Sequence, residues 1–316
     1  MTSTAIEVAT SRTNVDDLRR VIYGFAWAAL SDAILSGWFV VTRLGFRHEL
    51  RVWDIVALRF GEGAVLLTPC LVVGKSRLPL RAWTRGIPLA ILWGAPFIFL
   101  VGTGLRLPSA TLASSIAPAL MPAFSGAMAW LTFGEKPRPL QISGYALIAA
   151  GLVALVVAYV SLTGRPDTLG LVCLVVAAAM LAAYALRLRG SDLSPLQATA
   201  LICFWSAVVF VPIYTASGLS NLGHTSAGEL LFQSLYQGLL MSVVAVFAFN
   251  RAVAFLGSRA AAAIIALIPV AAAVFAIRVL DEFPSSFSSV AITVIAAGVM
   301  LAARSSPSVS TKGENA

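Results

Sequence analysis

Ten apolar stretches, each near the length that crosses a bilayer, follow one another along 316 residues with only short polar breaks. A helix needs about 20 apolar residues to span the hydrocarbon core. The stretches fall at 21–42, 52–74, 85–102, 107–133 and 138–160, then at 167–187, 194–216, 230–249, 254–280 and 285–303. Between them, Lys75 to Arg85 is basic, Gly134 to Pro139 holds two prolines, and Ser217 to Gly228 is rich in Gly, Ser and Asn. Composition agrees: 59% of residues are hydrophobic and 11% charged, where a soluble domain carries about 25% charged residues. One or two soluble cores would not hide that much apolar surface. The pattern predicts an all-α polytopic membrane protein of ten transmembrane helices in the lipid bilayer. Residues 1–20 form a polar tail without the features of a removable leader, and 304–316 a Ser-rich tail expected to be disordered. The third stretch is short and holds Pro88 and Pro96, so the count leans on it.

Charge orients the chain. With the N-terminus in the cytoplasm, 15 of the 22 Lys and Arg fall on that side and 5 (Arg43, Arg47, Arg51, Arg106, Arg165) on the other. Arg59 and Arg278 fall inside stretches. Excess Lys and Arg in cytoplasmic loops is the usual rule, so both termini are expected inside. The Arg43–Arg51 cluster argues back. The net charge of +8 is thereby a matter of topology, and no nucleic-acid partner is expected.

The chain also matches itself at a shift of 147 residues. Pro122 falls on Pro269, Glu135 on Glu282, Pro137 on Pro284, and Ile148-Ala149-Ala150-Gly151 on Ile295-Ala296-Ala297-Gly298. Apolar helices match by chance often; Pro, Glu and Pro at fixed spacing do not. The repeat unit holds five stretches, an odd number, so two tandem copies (21–160 and 167–303) must lie inverted in the membrane. Lys136 and Arg138 follow Glu135, whereas Phe283 and Ser285 follow Glu282. That contrast is expected of loops on opposite sides. Inverted repeats are a recurrent plan of secondary transporters, with the substrate between the repeats near the midplane.

These residues resemble the EamA domain of the drug/metabolite transporter (DMT) superfamily. The carriers are residues 109–151 and 257–298: small residues, Pro122 or Pro269, a long apolar run, Glu135 or Glu282, then a helix with Gly151 or Gly298 near its middle. Ser36-Gly37-Trp38-Phe39 and Leu58-Arg59-Phe60 fit the same family. The first-helix motif is degraded in the second half, where Ala183-Tyr184 stands near the expected Gly-Trp. The resemblance implies a ten-helix carrier, often an exporter of amino acids or other small metabolites, and says almost nothing about substrate.

Ionisable groups at a helix centre cost roughly 2.5–3.5 kcal/mol each on insertion scales. Asp32 lies mid-way along the first stretch; Arg59 and Glu62 lie at i and i+3 on the second. They either line a cavity, with Asp32 or Glu62 binding a proton or an amine and Arg59 a carboxylate, or Arg59 and Glu62 neutralise each other. Trp38, Trp93, Tyr184, Tyr236 and Gln237 complete the candidate cavity lining. Gln233 and Gln237 stand one turn apart on the eighth stretch. Glu135 and Glu282 are expected to accept hydrogen bonds from the first free N–H groups of the following helix. Pro118, Pro122 and Pro269 are hinges or fixed bends.

Two His (His48 and His224) and three scattered Cys make no metal cluster, and no phosphate-binding, HExxH or Gly-x-Ser-x-Gly motif occurs. No metal, cofactor or enzyme activity is expected. The leading expectation is a secondary exporter of a small metabolite in a bacterial inner membrane. A multidrug or cation efflux carrier is the rival within transport, and a membrane-embedded enzyme or non-transporting receptor the rival outside it. Proton coupling and homodimerisation stay open.

Overall fold

The computed structural model describes residues 2–75, 77–106, 110–165, 167–256 and 258–304. Its described residues are helical, without strands. The helices are α1 (Thr2–Arg47), α2 (Val52–Val72), α3 (Leu80–Gly104), α4 (Ala110–Phe133), α5 (Pro139–Thr163), α6 (Thr168–Arg189), α7 (Pro195–Ala216), α8 (Ala227–Leu256), α9 (Ser258–Leu280) and α10 (Ser286–Arg304). Among the described residues nine of these, all but α9, are long and apolar enough to cross a membrane; the apolar part counted in α9, Ile264–Leu280, is shorter.

Three features depart from expectation. First, α1 begins at Thr2 instead of near residue 21. Residues 2–20 contain neither Gly nor Pro, so nothing stops a helix from continuing outward. Second, α3 is longer than its apolar stretch and is broken. It comprises a 3-10 segment Leu80–Arg85, a helix Gly86–Trp93 and a helix Ala95–Gly104. At Gly94 a Cβ would meet Ala90 O and Ser206 Oγ at 2.2 Å, so only glycine fits. Ser206 Oγ of α7 accepts the freed Ala95 N–H at 3.2 Å. Pro96 stands in the first turn after the break, where its missing N–H costs little. Third, α2 and α8 carry π-helical segments, Leu58–Glu62 and Leu235–Val244, a form that often marks functional sites. The Ser-rich tail beyond residue 304 lies outside the described residues. Pro118 and Pro122 in α4 and Pro269 in α9 sit within continuous helices.

Helix starts are capped by side chains, but not by the expected glutamates. Arg138 N–H donates to Gln141 Oε1 at 2.8 Å before α5, and Ser285 Oγ accepts from Ser288 N–H at 3.1 Å before α10. Glu135 and Glu282 are engaged elsewhere, as described below.

The packing pairs the two halves reciprocally. Helix α2 packs on α7, α4 on α9 and α5 on α10. These are equivalent positions in the two repeats. Likewise α1 packs on α8 and α9, and α6 on α3 and α4. The α5–α10 contact shows the exchange atom by atom. A Cβ on Gly151 would meet Ala291 O at 3.0 Å, and one on Gly298 would meet Gly144 O at 2.9 Å. Under the 147-residue shift Gly151 becomes Gly298 and Gly144 becomes Ala291. The contact is therefore self-complementary, the mark of a two-fold relation. It also runs antiparallel: Gly144 faces Ala302 and Gly298, while Gly151 faces Ile295 and Ala291. The outer faces are apolar, with Val65, Leu131, Val153 and Val209 exposed, as a lipid-facing surface requires.

Candidate substrate site between the halves

On α1, Trp38 is buried and points its indole Nε1–H at Gln237 Oε1 on α8, 2.8 Å away. Gln237 Nε2 donates to Thr42 Oγ1 at 3.1 Å and to Gln233 Oε1 at 3.2 Å. Gln233 Nε2 in turn donates to Val41 O at 2.8 Å and to Glu229 Oε1 at 2.9 Å, and Glu229 meets His48 Nδ1 at 2.9 Å. The π segment of α8 holds Gln237 in this ladder, and Ser242 Oγ donates back to Gln237 O at 3.3 Å. A buried amide satisfied on both its oxygen and its nitrogen fixes one packing of α1 against α8. Tyr236 fastens the same pair, donating to Ile34 O at 2.9 Å.

Arg59 is different. It lies in the π segment of α2, 7% exposed, with its Cζ 5.3 Å from the Trp38 ring centre and 5.8 Å from that of Phe60. Its Nε and Nη1 have no hydrogen-bond partner. Glu62, three residues on, does not neutralise it. Ser234 of α8 donates to Glu62 Oε1, and Glu62 Oε2 occupies the space where a Cβ on Gly238 would stand. No ion pair joins Arg59 to Glu62 among the described residues. A buried guanidinium with Nε and Nη1 unpartnered, lying over an aromatic face, has donors to spare for an anionic group. Asp32 is partly buried on α1 and accepts from Ser36 Oγ at 3.4 Å.

Trp93, beside the Gly94 break, packs on Tyr184 of α6 with ring centres 4.6 Å apart. Helices α3 and α6 are the equivalents of α8 and α1, so this aromatic pair lies on the contact that mirrors the α1–α8 contact, where the shift places Leu240 and Gly37, close along the helices to Gln237 and Trp38. The candidates thus form two clusters, one on α1, α2 and α8 and one on α3 and α6. Two cavities open nearer the helix ends. One of about 550 Å³ is lined by Phe46, Arg51, Asn221 and His224, among others. One of about 540 Å³ is lined by Pro122, Glu135, Tyr145, Leu186 and Arg189, among others. Arg278 is exposed on α9.

Some polar centres escape the sequence reading. Asp54 is fully buried and accepts from Tyr214 Oη at 2.5 Å, Asn221 N–H at 3.0 Å and Arg51 N–H at 2.7 Å. Its signal, an acid inside an apolar stretch, is the one that picks out Asp32. Glu282 meets Arg43 Nε at 2.7 Å and Arg47 Nη2 at 3.2 Å, and Glu135 meets Arg189 Nη2 at 3.3 Å. The shared charge sign of these arginines hides the pairing from a reading of loop charge.

An all-helical chain with an apolar exterior, reciprocal halves and buried polar groups between them is a multi-pass membrane protein of the transporter type. Residues 22–157 and 168–304 each match the model of the EamA-like transporter family. The chain belongs to that family, within the DMT superfamily, whose members are transporters and not enzymes. Such a protein works in lipid on a small-molecule substrate. No curated protein matches the chain. A solved structure described as "Crystal structure of protein" is similar, with a TM-score of 0.60 and 17% sequence identity over 90% of this chain and 96% of its own. At that identity the likeness shows the fold alone.

Proposed function

We propose that the protein is a secondary carrier that exports a small metabolite, an amino acid being the leading class, by alternating access between two inverted five-helix halves. The observation that carries this reading is the reciprocal α5–α10 contact: equivalent helices packed antiparallel are what an inverted repeat produces. The loop contacts support the topology of ten spans with both termini in the cytoplasm. Arg43 with Glu282, His48 with Glu229, and Asn221 N–H with Asp54 each join segments assigned outside. Arg189 with Glu135 and Arg85 with Asp192 join segments assigned inside. A bacterial inner membrane is the setting that fits the short loops. Arg59, buried and unpartnered at Nε and Nη1 beside Trp38, is the anchor for a substrate carboxylate, and Asp32 or Glu62 carries the coupling proton.

Purified protein in liposomes, screened for flux of amino acids, sugars and cationic dyes under a pH gradient, tests this. Gradient-driven flux of an amino acid is expected, weakened by Asp32→Asn or Glu62→Gln. If both variants keep full gradient-dependent flux, these acids do not couple protons; if no solute moves, the carrier reading fails. A multidrug or cation carrier is the second reading, favoured by the acids Asp32 on α1 and Glu62 on α2 and by the Trp93–Tyr184 aromatic pair. Flux of cationic dyes alone, undiminished by Arg59→Met, would select it.

A further inference from the structure

The two glutamates that coincide under the 147-residue shift serve the same purpose at opposite ends of the molecule. Each stands just before a helix, Glu135 before α5 and Glu282 before α10, and those helices run antiparallel. Each is gripped by arginine from the last turns of the other half's first helix. Glu282 is held by Arg43 and Arg47 at the end of α1, and Glu135 by Arg189 at the end of α6. The grips therefore tie the two halves together reciprocally.

They are not equally tight. Arg43 and Glu282 side chains are 13% and 16% exposed, and Arg43 Nη1 and Arg47 Nη1 also donate to Leu105 O and Leu280 O at 3.3 and 3.1 Å. Arg189 and Glu135 are 52% and 44% exposed and meet through one contact. The surroundings differ in the same sense. Beside Glu135 lies the 540 Å³ cavity, lined by Pro122, Ser125, Gly126, Ala129 and Tyr145. At the other end the equivalent positions are Pro269, Ala272, Ala273, Ala276 and Ile292. The last four are buried, with Ala272 and Ala276 at 0% exposure where Ala129, on the cavity wall, has 9%; the 550 Å³ cavity at this end is lined by the 46–51 and 221–224 segments and not by these positions.

We propose that the two ion pairs are reciprocal gates. Glu282 with Arg43 and Arg47 closes its end, and Glu135 with Arg189 is its counterpart, slack while the first is shut and tightened when the first opens. This rests on the alternating-access reading. It assigns the state seen here as closed at the Glu282 end and open at the Glu135 end.

Cysteine labelling in lipid tests it without a substrate. In a variant lacking Cys70, Cys173 and Cys203, Ala129→Cys and its equivalent Ala276→Cys report on the two ends. A small maleimide is expected to label Ala129→Cys fast and Ala276→Cys slowly. Glu282→Gln is expected to raise labelling at position 276 and lower it at 129, each by roughly five-fold or more, the scale of typical coupling between sites. Glu135→Gln is expected to leave 276 protected. The charge swap Glu135→Arg with Arg189→Glu, which keeps a pair, is expected to retain the parent pattern and so controls for misfolding. Unchanged rates in Glu282→Gln overturn the proposal. So do a rise at both positions, which is loosening, and a rise at 276 alone, which is an independent door. Reciprocal labelling in a protein that moves no solute would sink the carrier reading alone.

Discussion

Asp54 and Arg59 lie five residues apart on α2, both buried and both charged, and their surroundings give them opposite tasks. Asp54 has acceptor capacity filled by three donors, two of them brought by Tyr214 and Asn221 from far along the chain. Removing it leaves the Asn221 and Arg51 N–H groups unpaired, while Tyr214 Oη keeps Ser220 Oγ at 2.8 Å, so Asp54→Ala is expected to cost about 3 kcal/mol. Asp54→Asn, which keeps one acceptor oxygen, is expected to cost roughly half as much. Melting in detergent checks the order. Arg59 has Nε and Nη1 unpartnered, so its loss orphans no acceptor. Arg59→Met is expected to hold stability within about 1 kcal/mol, losing only the stacking on Trp38, while abolishing amino-acid flux. A structural arginine would show the reverse, a fallen melting temperature first. The sequence makes such residues visible because a charge in an apolar stretch stands out. It does not make their partners visible: Glu62 lies one turn from Arg59, yet bonds to Ser234, 172 residues away.

Helices reveal their existence in sequence more readily than their interruptions. Ten apolar stretches are plain in the chain, and helices stand at those places among the described residues, nine of them long and apolar enough to cross a membrane. The break at Gly94 and the π segments of α2 and α8 are not legible. They depend on tertiary partners, Ser206 at the break and Ser234, Trp38 and Thr42 along the π segments, that no local pattern encodes. Gly151 and Gly298 were legible as a repeated motif, but their reason is the crossing of α5 and α10. At Gly298 a Cβ would lie 2.9 Å from Gly144 O and from Ile148 N, backbone atoms that cannot step aside. Gly298→Ala is therefore expected to destabilise by about 1–3 kcal/mol. Gly223→Ala, where a Cβ meets open space, is expected to stay within about 0.5 kcal/mol. Comparing the two melts separates overpacking from a general intolerance of glycine replacement.

Across the whole molecule, loop charge, helix parity and the contacts between loops all support the topology proposed above. Lys75 and Gly223 lie in loops that this topology puts on opposite sides of the membrane. With the native cysteines removed, Gly223→Cys is expected to react with an impermeant maleimide in intact cells, and Lys75→Cys only after permeabilisation. Reaction of both from one side would overturn the inverted arrangement. The Arg43–Arg51 cluster, the exception in the charge count, becomes intelligible once Glu282 is placed between Arg43 and Arg47. That clamp spans 235 residues of chain. At about 5–20 residues per second, a ribosome needs roughly 10–50 s to make that length. For that time α1 holds two arginines whose acid has not been synthesised. The clamp of Glu282 by Arg43 and Arg47 is thus among the last contacts that a newborn chain can form, and a chain truncated before Glu282 cannot form it at all.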